Sequence, residues 1–221
     1  MNLTLPDFVK DIEQMIADAP DGELESDKPQ KPNLVREANG WGLRYVAPFS
    51  PSGEDWVTTY QNALESVSQG GLVAFLGNRG TGKTQMAAEI AKTGNWSRDK
   101  GEWNGNAMVA NKTAIYRRAM DIFLDLRDRS AGHSEKAVLE KLTYCGLLVI
   151  DEFQERGETP FEDRIVTNLL DKRYNDQRPT ILIANLDRAG LAKMISPSVI
   201  DRMRENGKAF AFDWKSYRAK P

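Results

Sequence analysis

One glycine-rich run constrains this chain of 221 residues more than any other feature, and it reads GNRGTGKT from Gly77 to Thr84. It matches the pattern G-x-x-x-x-G-K-[ST], in which glycines let backbone N–H groups converge on phosphate oxygens. The run follows the apolar segment Leu72–Leu76 and precedes a helical pattern that begins at Lys83. A buried strand, a tight loop and the N-terminus of a helix are the context that this motif requires. We therefore predict a phosphate-binding loop.

The residue types in this loop suggest individual roles. Lys83 can reach the β- and γ-phosphates of a nucleoside triphosphate, and the Thr84 hydroxyl can ligate a magnesium ion. The sequence therefore predicts a nucleotide and Mg²⁺ as cofactors. The residues expected to contact the nucleotide are Gly77, Asn78, Arg79, Gly80, Thr81, Gly82, Lys83, Thr84 and Gln85.

Two carboxylates end a second apolar strand pattern, LLVIDE, from Leu147 to Glu152. We expect Asp151, at the edge of that strand, to hold magnesium directly or through water. Glu152 beside it can accept a proton from an attacking water. A glutamate next to the magnesium aspartate favours hydrolysis, whereas a small-molecule or nucleotide kinase, the less favoured alternative, needs a site for a hydroxyl acceptor.

Two further polar residues are candidates for catalysis. Asn185 ends a third apolar strand, Thr180–Ala184. Because neighbouring parallel strands present their C-terminal ends to one crevice, we expect Asn185 between the γ-phosphate and the attacking water. The segment DRMRENG carries arginines at i and i+2, which point to different sides of a helix. One of them can pair locally, and the other, for which we choose Arg202, can reach the nucleotide of a neighbouring subunit as an arginine finger.

Helix and strand patterns alternate from about residue 40 onward, which predicts an α/β fold with a mostly parallel sheet between helices. Strands are expected at 72–76, 107–110, 147–150, 180–184 and 209–212. Helices are expected at 55–68, 83–92, 112–129, 135–143, 161–174 and 197–204. The helix over 112–129 is charged, and its apolar face consists of Ile115, Ala119, Ile122, Phe123 and Leu126.

The N-terminal segment differs from the rest of the chain. Residues 3–19 have the periodicity of an amphipathic helix, and residues 20–33, PDGELESDKPQKPN, have the composition of a linker. We place the domains at 1–35 and 36–221. A helix this short must pack on something, either its own domain or a groove on a partner protein.

Composition excludes several classes of function. The formal net charge of −2 gives no overall argument for nucleic-acid binding. Cys145 is the only cysteine, so neither an intramolecular disulfide nor a zinc-ligand cluster is expected. His133, the only histidine, lies in a polar stretch and is interpreted as a loop residue. No segment resembles a signal peptide or a membrane span, so we expect a cytoplasmic protein without a membrane partner.

Four segments in this order, GNRGTGKT, LLVIDEF, LLDKRYNDQRPTILIANL and VIDRMRENGKAFAFDWKSYR, resemble the AAA+ ATPases. Among these the chain is most similar to the DnaC/IstB group of helicase loaders and transposition helper ATPases. The resemblance covers roughly residues 55–218. It implies ATP as the nucleotide, a five-stranded parallel sheet without a C-terminal helical lid, and self-association with nucleotide at the subunit interface. It also implies Asp151 and Glu152 as the Walker B pair, Asn185 as sensor 1, and Arg218 as a further nucleotide contact.

The function implied by this resemblance is the loading of a replicative helicase onto single-stranded DNA. The alternative is a transposition helper ATPase that acts on duplex DNA; the closing WKSYR favours the loader. Helicase loaders of this kind usually carry a larger N-terminal region than this chain has, which leaves the helicase contact open.

The same resemblance implies a DNA-binding region between the phosphate loop and the Walker B strand. The basic residues in that region are Lys112, Arg117 and Arg118. A solvated helix face is the equally favoured alternative, because acidic residues share the predicted helix, namely Asp121, Asp125 and Asp128.

Overall fold

The computed structural model describes residues 39–45, 53–93, 96, 102–103, 108–109, 114–128, 134–157 and 159–218. The predicted N-terminal helix, the linker, the domain boundary at residue 35 and Lys112 lie outside these ranges.

Seven strands and seven α-helices are found in the described ranges. The strands are β1 Leu72–Gly77, β2 Glu102–Trp103, β3 Met108–Val109, β4 Ala114–Arg118, β5 Leu147–Asp151, β6 Thr180–Ala184 and β7 Gly207–Phe212. The helices are α1 Glu54–Ser68, α2 Lys83–Thr93, α3 Ala119–Arg127, α4 Glu135–Tyr144, α5 Pro160–Asn175, α6 Arg188–Met194 and α7 Pro197–Asn206. Short 3-10 turns span Leu43–Tyr45 and Phe153–Glu155. None of the helices in these ranges has the length and apolar character needed to cross a membrane.

The main sheet has five strands in the order β4-β5-β6-β1-β7, and every neighbouring pair is parallel. This confirms the predicted parallel five-stranded sheet. β1 lies inside the sheet, where Leu72 is paired with Thr180 on one side and Gly207 on the other. The carboxyl end of β1, from which the phosphate loop leaves, is therefore flanked by the carboxyl ends of two other strands.

Helices cover both faces of this sheet, as predicted. Successive residues of β1 alternate between two apolar clusters, with Ala74 in one and Phe75 in the other. Helices α3 to α7 contribute to the first cluster, and helices α1 and α2 contribute to the second. A strand that is buried on both faces reads as a continuous apolar run, which is why the sequence identified β1, β5 and β6.

The predicted helix over residues 112–129 is wrong at its N-terminal end. Ala114–Arg118 form the edge strand β4, and the helix begins only at Ala119. Ile115 still packs in the same cluster as Ile122, because alternation along a strand can bury a residue that helical spacing would also bury. Local periodicity therefore did not distinguish the two structures.

Two smaller elements also differ from the sequence interpretation. Of the strand expected at 107–110, the described residues Met108–Val109 form a strand, which pairs with Glu102–Trp103 outside the main sheet. Helix α6 was not predicted, although Asp187 caps it by accepting a hydrogen bond from the Gly190 N–H at 2.7 Å. At seven residues, α6 is too short to show a helical period.

A fully buried arginine, Arg173, lies at the amino-terminal ends of the sheet strands, on the opposite side of the sheet from the phosphate loop. The guanidinium of Arg173 in α5 donates hydrogen bonds to the carbonyls of Leu142 at 2.8 Å, Thr143 at 2.9 Å and Cys145 at 3.0 Å. It donates another to the Pro179 carbonyl at 2.6 Å. The first three carbonyls lie at the end of α4, where a helix leaves acceptors without partners and favours positive charge. Arg173 thus joins α4, α5 and the start of β6.

Candidate nucleotide-binding site

A cleft of about 260 Å³ opens at the carboxyl ends of the central strands. The predicted site residues in its wall are Arg79, Gly80, Gly82, Lys83, Thr84, Gln85, Asp151, Glu152, Asn185 and Arg218. Residues that the sequence did not single out are Arg44, Tyr45, Tyr116, Ile183 and Tyr217. The structure thus brings the loop, the acidic pair, Asn185 and the C-terminal arginine into one place.

The phosphate loop needs glycine at positions where a side chain would collide with the backbone or with the C-terminal segment. Gly77 has φ +131°, and a Cβ there would lie 2.4 Å from the carbonyl oxygen of Phe212. Gly80 has φ +83°, and a Cβ there would lie 2.1 Å from Ser216 Oγ. Within the turn, Thr81 Oγ1 donates to the carbonyl of Asn78 at 2.9 Å. These contacts give the loop a defined shape before any ligand binds.

Lys83 lies beneath this loop, and its Nζ donates to the carbonyl oxygens of Gly77 at 2.7 Å and Asn78 at 2.6 Å. Only 5% of the residue is exposed. Burial lowers the pKa of Lys83 to about 8; the positive charge of Arg218 lowers it further, and the negative charge of Asp151 opposes the shift. A phosphate group would be a stronger partner for this ammonium than two neutral carbonyls.

Asp151 is buried at the end of β5 and accepts hydrogen bonds on both carboxylate oxygens. Thr84 Oγ1 donates to Oδ2 at 2.7 Å, and the Glu152 N–H donates to Oδ1 at 2.7 Å. Because Thr84 directs its proton to Asp151, the lone pairs of its hydroxyl oxygen are available to a metal. Hydroxyl and carboxylate oxygens are ligands that Mg²⁺ prefers, usually together with water and phosphate oxygens. The residues present therefore fit magnesium held jointly with a nucleotide.

Glu152 has a strained backbone. Its φ and ψ are 51° and 42°, in the left-handed region. For a residue with a Cβ this conformation costs roughly 1 kcal/mol, and such strain is concentrated at functional sites. The end of β6 is tied to the turn that follows Glu152, because the Asn185 N–H donates to Gln154 Oε1 at 3.0 Å. Glu152 and Asn185 both line the cleft.

The segment after β7 lies against the phosphate loop. Trp214 Nε1 donates to the Thr81 carbonyl at 2.9 Å, and the Tyr217 N–H donates to the Gly80 carbonyl at 2.9 Å. Residues 213–218, the last ones that the structure describes, contain no helix. These contacts place Tyr217 and Arg218 in the wall of the cleft.

Arg202 lies outside the cleft of its own chain. Its Nη1 is 2.7 Å from Asp171 Oδ1, and its guanidinium lies over the ring of Tyr174 at 5.4 Å. Arg204 Nη1 is 3.1 Å from Asp201 Oδ1, and the Arg204 side chain is 76% exposed. The sequence suggested that one of these arginines pairs locally, and in the structure both do. The role of Arg202 at a neighbouring nucleotide stays a prediction.

The arginines predicted to contact DNA lie at the end of the edge strand β4 and not on a helix. Arg118 makes two hydrogen bonds to Asp121, with Nε 2.9 Å from Oδ2 and Nη2 2.9 Å from Oδ1. Arg117 Nη1 donates to the carbonyl of Tyr116 at 2.9 Å, and its Nε is 3.9 Å from Asp125. Both positive charges are thus partly neutralised within the chain. Their role at DNA remains a prediction.

Sequence reasoning missed the residues of the cleft that come from the segment 39–45 and from β4. Tyr116 OH donates to Asp151 Oδ2 at 3.0 Å. Arg44 and Tyr45 line the cleft beside it. None of these three residues belongs to a motif with a known spacing. In addition, the incorrect helix prediction for residues 112–129 hid the fact that Tyr116 lies on the strand next to β5.

Comparison with known proteins gives a family and a fold. The model of the ATPase family associated with various cellular activities (AAA) matches residues 73–208. The replicative helicase loader DnaC of Escherichia coli strain K12 is 29% identical over 170 residues, which are 72% of this chain and 64% of that protein. The matched region thus spans just under two thirds of the length of this relative.

Two solved structures share the fold. The crystal structure of the DnaC helicase loader matches with a TM-score of 0.57 and 17% identity, over 77% of this chain and 99% of that one. The crystal structure of DnaI matches with a TM-score of 0.57 and 17% identity, over 86% of this chain and 95% of that one. The family match begins in β1, ends in β7 and includes the phosphate loop, the acidic pair and Asn185. The chain therefore belongs to the AAA family of ATPases and, within it, is similar to the DnaC helicase loaders.

Proposed function

We propose that this protein hydrolyses ATP with Mg²⁺ and uses that reaction to load a replicative helicase onto single-stranded DNA. The observation that carries the hydrolysis is the convergence of Lys83, Thr84, Asp151, Glu152 and Asn185 on one cleft. The left-handed backbone of Glu152, beside Asp151, supports this proposal, because such strain is concentrated at functional sites.

Each residue of the cleft has a distinct task in this proposal. Lys83 exchanges the carbonyls of Gly77 and Asn78 for phosphate oxygens. Thr84 and Asp151 hold the metal, which when bound neutralises the charge that develops on the β- and γ-phosphates. The Glu152 carboxylate would take the proton of the attacking water as the water forms its bond to the γ-phosphorus, while the bond from that phosphorus to the β–γ bridging oxygen breaks and ADP leaves. The Asn185 amide would orient the water.

Several groups outside these five complete the nucleotide site. Arg79, in the phosphate loop, makes a 2.9 Å ion pair with Glu155 and lines the cleft. Arg218 enters through the segment that is hydrogen-bonded to Gly80 and Thr81. In the proposed assembly Arg202 of one subunit faces the nucleotide of the next, so hydrolysis depends on self-association.

The proposed partners are a replicative helicase and single-stranded DNA. The support is the similarity to DnaC, whose name describes a replicative helicase loader, over 72% of this chain. We assign helicase docking to residues 1–35 and DNA contact to the basic residues Lys112, Arg117 and Arg118. If the protein binds DNA there, Arg118 has to exchange Asp121 for a phosphate.

The test is capture of the hexameric helicase of the same replicon by the full chain, with and without ATP and single-stranded DNA. We expect ATP-dependent capture, and helicase loading on bubble DNA that Lys83→Ala abolishes. Phosphate release from ATP without a phosphorylated acceptor is expected in parallel. No helicase capture under any of these conditions would reject the loader function, and ATP-dependent filaments on duplex DNA would instead favour a transposition helper.

A further inference from the structure

The carboxylate of Asp151 has a hydrogen-bond donor that the phosphate loop does not supply. Its Oδ2 accepts from Tyr116 OH at 3.0 Å as well as from Thr84 Oγ1 at 2.7 Å. Its Oδ1 accepts from the Glu152 N–H at 2.7 Å. Two of the three donors thus share one oxygen. Tyr116 lies on strand β4, whereas Thr84 lies in the first turn of helix α2.

The sheet register explains why Tyr116 reaches this carboxylate. Tyr116 is paired with Val149, two residues before Asp151 on the neighbouring strand. Since side chains alternate along a strand, Tyr116, Val149 and Asp151 project from the same face. The tyrosine side chain is long enough to extend along this face to the strand end, where the carboxylate lies.

The phenol is held as a donor. A phenol is protonated at neutral pH, and Tyr116 OH lies 3.0 Å from Asp151 Oδ2, a carboxylate oxygen that can only accept. A hydrogen bond from a neutral donor to an ionised carboxylate is stronger than one between neutral groups.

The segment that precedes α1 fixes the position of Tyr116. The Tyr116 N–H donates to the carbonyl of Asn39 at 2.9 Å. The ring of Trp41 packs on the Tyr116 ring with centroids 5.0 Å apart, and Trp41 Nε1 donates to the Ala114 carbonyl at 3.2 Å. The backbone of Tyr116 is thus fixed by a hydrogen bond, and its ring is fixed by packing against Trp41.

We propose that Tyr116 is a positioning residue of the magnesium site, holding Asp151 Oδ2 so that the carboxylate and the Thr84 hydroxyl face the metal together. The proposal rests on the proposed function of the cleft as a site for nucleotide with Mg²⁺. Tyr116 acts through Asp151 and does not contact the metal. Loss of an outer-shell partner of this kind typically lowers metal affinity about 10- to 100-fold.

The experiment titrates Mg²⁺ into protein mixed with a fluorescent ATP analogue and records the bound nucleotide. Tyr116→Phe removes only the hydroxyl and keeps the ring that packs on Trp41. We expect the Mg²⁺ concentration at half-saturation to rise about 10-fold, with unchanged nucleotide binding in EDTA. Tyr60→Phe is the matched control, because Tyr60 OH bonds to Thr93 Oγ1 at 3.1 Å, away from the cleft, and should leave the curve in place.

The outcomes separate this proposal from the proposed function. A wild-type chain that binds no nucleotide at any Mg²⁺ concentration rejects the nucleotide site itself. A wild-type chain with a clear Mg²⁺ dependence, and a Tyr116→Phe curve that coincides with it, overturns the positioning role alone. Equal losses of binding with Mg²⁺ and with EDTA also overturn it, since they would show that the hydroxyl shapes the pocket.

A double variant provides an independent check. In an Asp151→Asn background the carboxylate that Tyr116 positions is absent, so adding Tyr116→Phe should change the half-saturating Mg²⁺ concentration no further. Residues that act through one another show such non-additivity, whereas independent residues add. Additive effects would contradict the proposal. Thermal unfolding of each variant confirms that the folded protein is being compared.

Discussion

The guanidinium of Arg202 is paired with the carboxylate of Asp171, with Nη1 2.7 Å from Oδ1, although the contact lacks the alignment of a hydrogen bond. Nη1 instead donates to Ser198 Oγ on the same helix. Arg202 is therefore held by its own chain in the absence of a neighbour. If Arg202 serves as an arginine finger, it must exchange Asp171 for the phosphates of the next subunit.

We expect Arg202→Ala to lower ATP turnover by about 10³-fold while ATP affinity stays near the wild-type value, because an arginine finger acts on the transition state. Arg204→Ala is the matched control: Arg204 lies two residues on, is largely exposed and pairs with Asp201, so its loss should leave turnover intact. Steady-state phosphate release and equilibrium nucleotide binding measure the two quantities.

Mixing subunits tests whether the site is shared. Arg202→Ala subunits keep an intact phosphate loop, and Lys83→Ala subunits keep Arg202. A mixture should therefore regain part of the turnover that each variant lacks alone. Absence of recovery at every mixing ratio would argue against a composite site.

Nucleotide affinity should fall at alkaline pH because of Lys83. Its pKa of about 8 in the free protein will rise when phosphates bind, so binding takes up a proton above that pH. The affinity for nucleotide is then highest below the pKa that Lys83 has in the nucleotide-free protein, and it decreases as the pH rises through that value. Between about pH 7.5 and pH 9.5 we expect a loss of roughly 20-fold, and phosphate ionisation is already nearly complete at the lower pH. A dissociation constant that is flat over this interval would contradict the prediction.

Glu152→Gln should bind ATP with near-normal affinity and hydrolyse it about 10² to 10⁴ times more slowly, because glutamine cannot accept the proton of the attacking water. The substitution keeps the size of the side chain and the left-handed backbone at this position. Single-turnover phosphate release separates the chemical step from binding. Glu140→Gln on α4 is the matched control, because the Glu140 carboxylate is half-exposed and its ion-pair partner is Lys136, away from the cleft. Unchanged hydrolysis in Glu152→Gln would place the base elsewhere.

Arg173→Ala should lower the free energy of unfolding by several kcal/mol, because each buried carbonyl left without a donor costs about 1 to 3 kcal/mol. The reason is that the carbonyls of Leu142, Thr143, Cys145 and Pro179 would lose a shared donor in the interior. The neighbouring Lys172 is exposed, and Lys172→Ala should change stability little. Denaturant unfolding measures both. Equal stabilities of the two variants would contradict this role.

The sequence predicted the fold where a pattern was local. Strands β1, β5 and β6 are buried on both faces, so each reads as an apolar run followed by a loop or polar residue. It failed at β4, where Ile115 is paired with Leu148 of another strand. The partner of an edge strand is not visible in the local pattern, and the spacing of Ile115, Ala119 and Ile122 also satisfies a helix.

In the cleft, too, residues of contiguous motifs could be predicted from the sequence, whereas contacts between distant segments could not. The phosphate loop and the acidic pair are motifs of contiguous residues, so the sequence could predict Lys83, Thr84 and Asp151 as members of one cleft. The contact from Tyr116 to Asp151 and the contact from Trp214 to Thr81 join residues far apart in sequence. No spacing rule relates such pairs, because the sheet order, and not the chain, makes them neighbours.

The central position of β1 affects how the protein folds. The phosphate loop is contiguous in sequence, yet the strand that carries it gains its two neighbours from β6 and β7, which come late in the chain. Contacts between distant segments form slowly, since a long loop must close first. During synthesis, a nascent chain that has emerged only as far as β5 would carry the whole GNRGTGKT motif without a strand on either side of β1. We therefore expect the phosphate loop to gain its folded shape only after β6 and β7 have been synthesised.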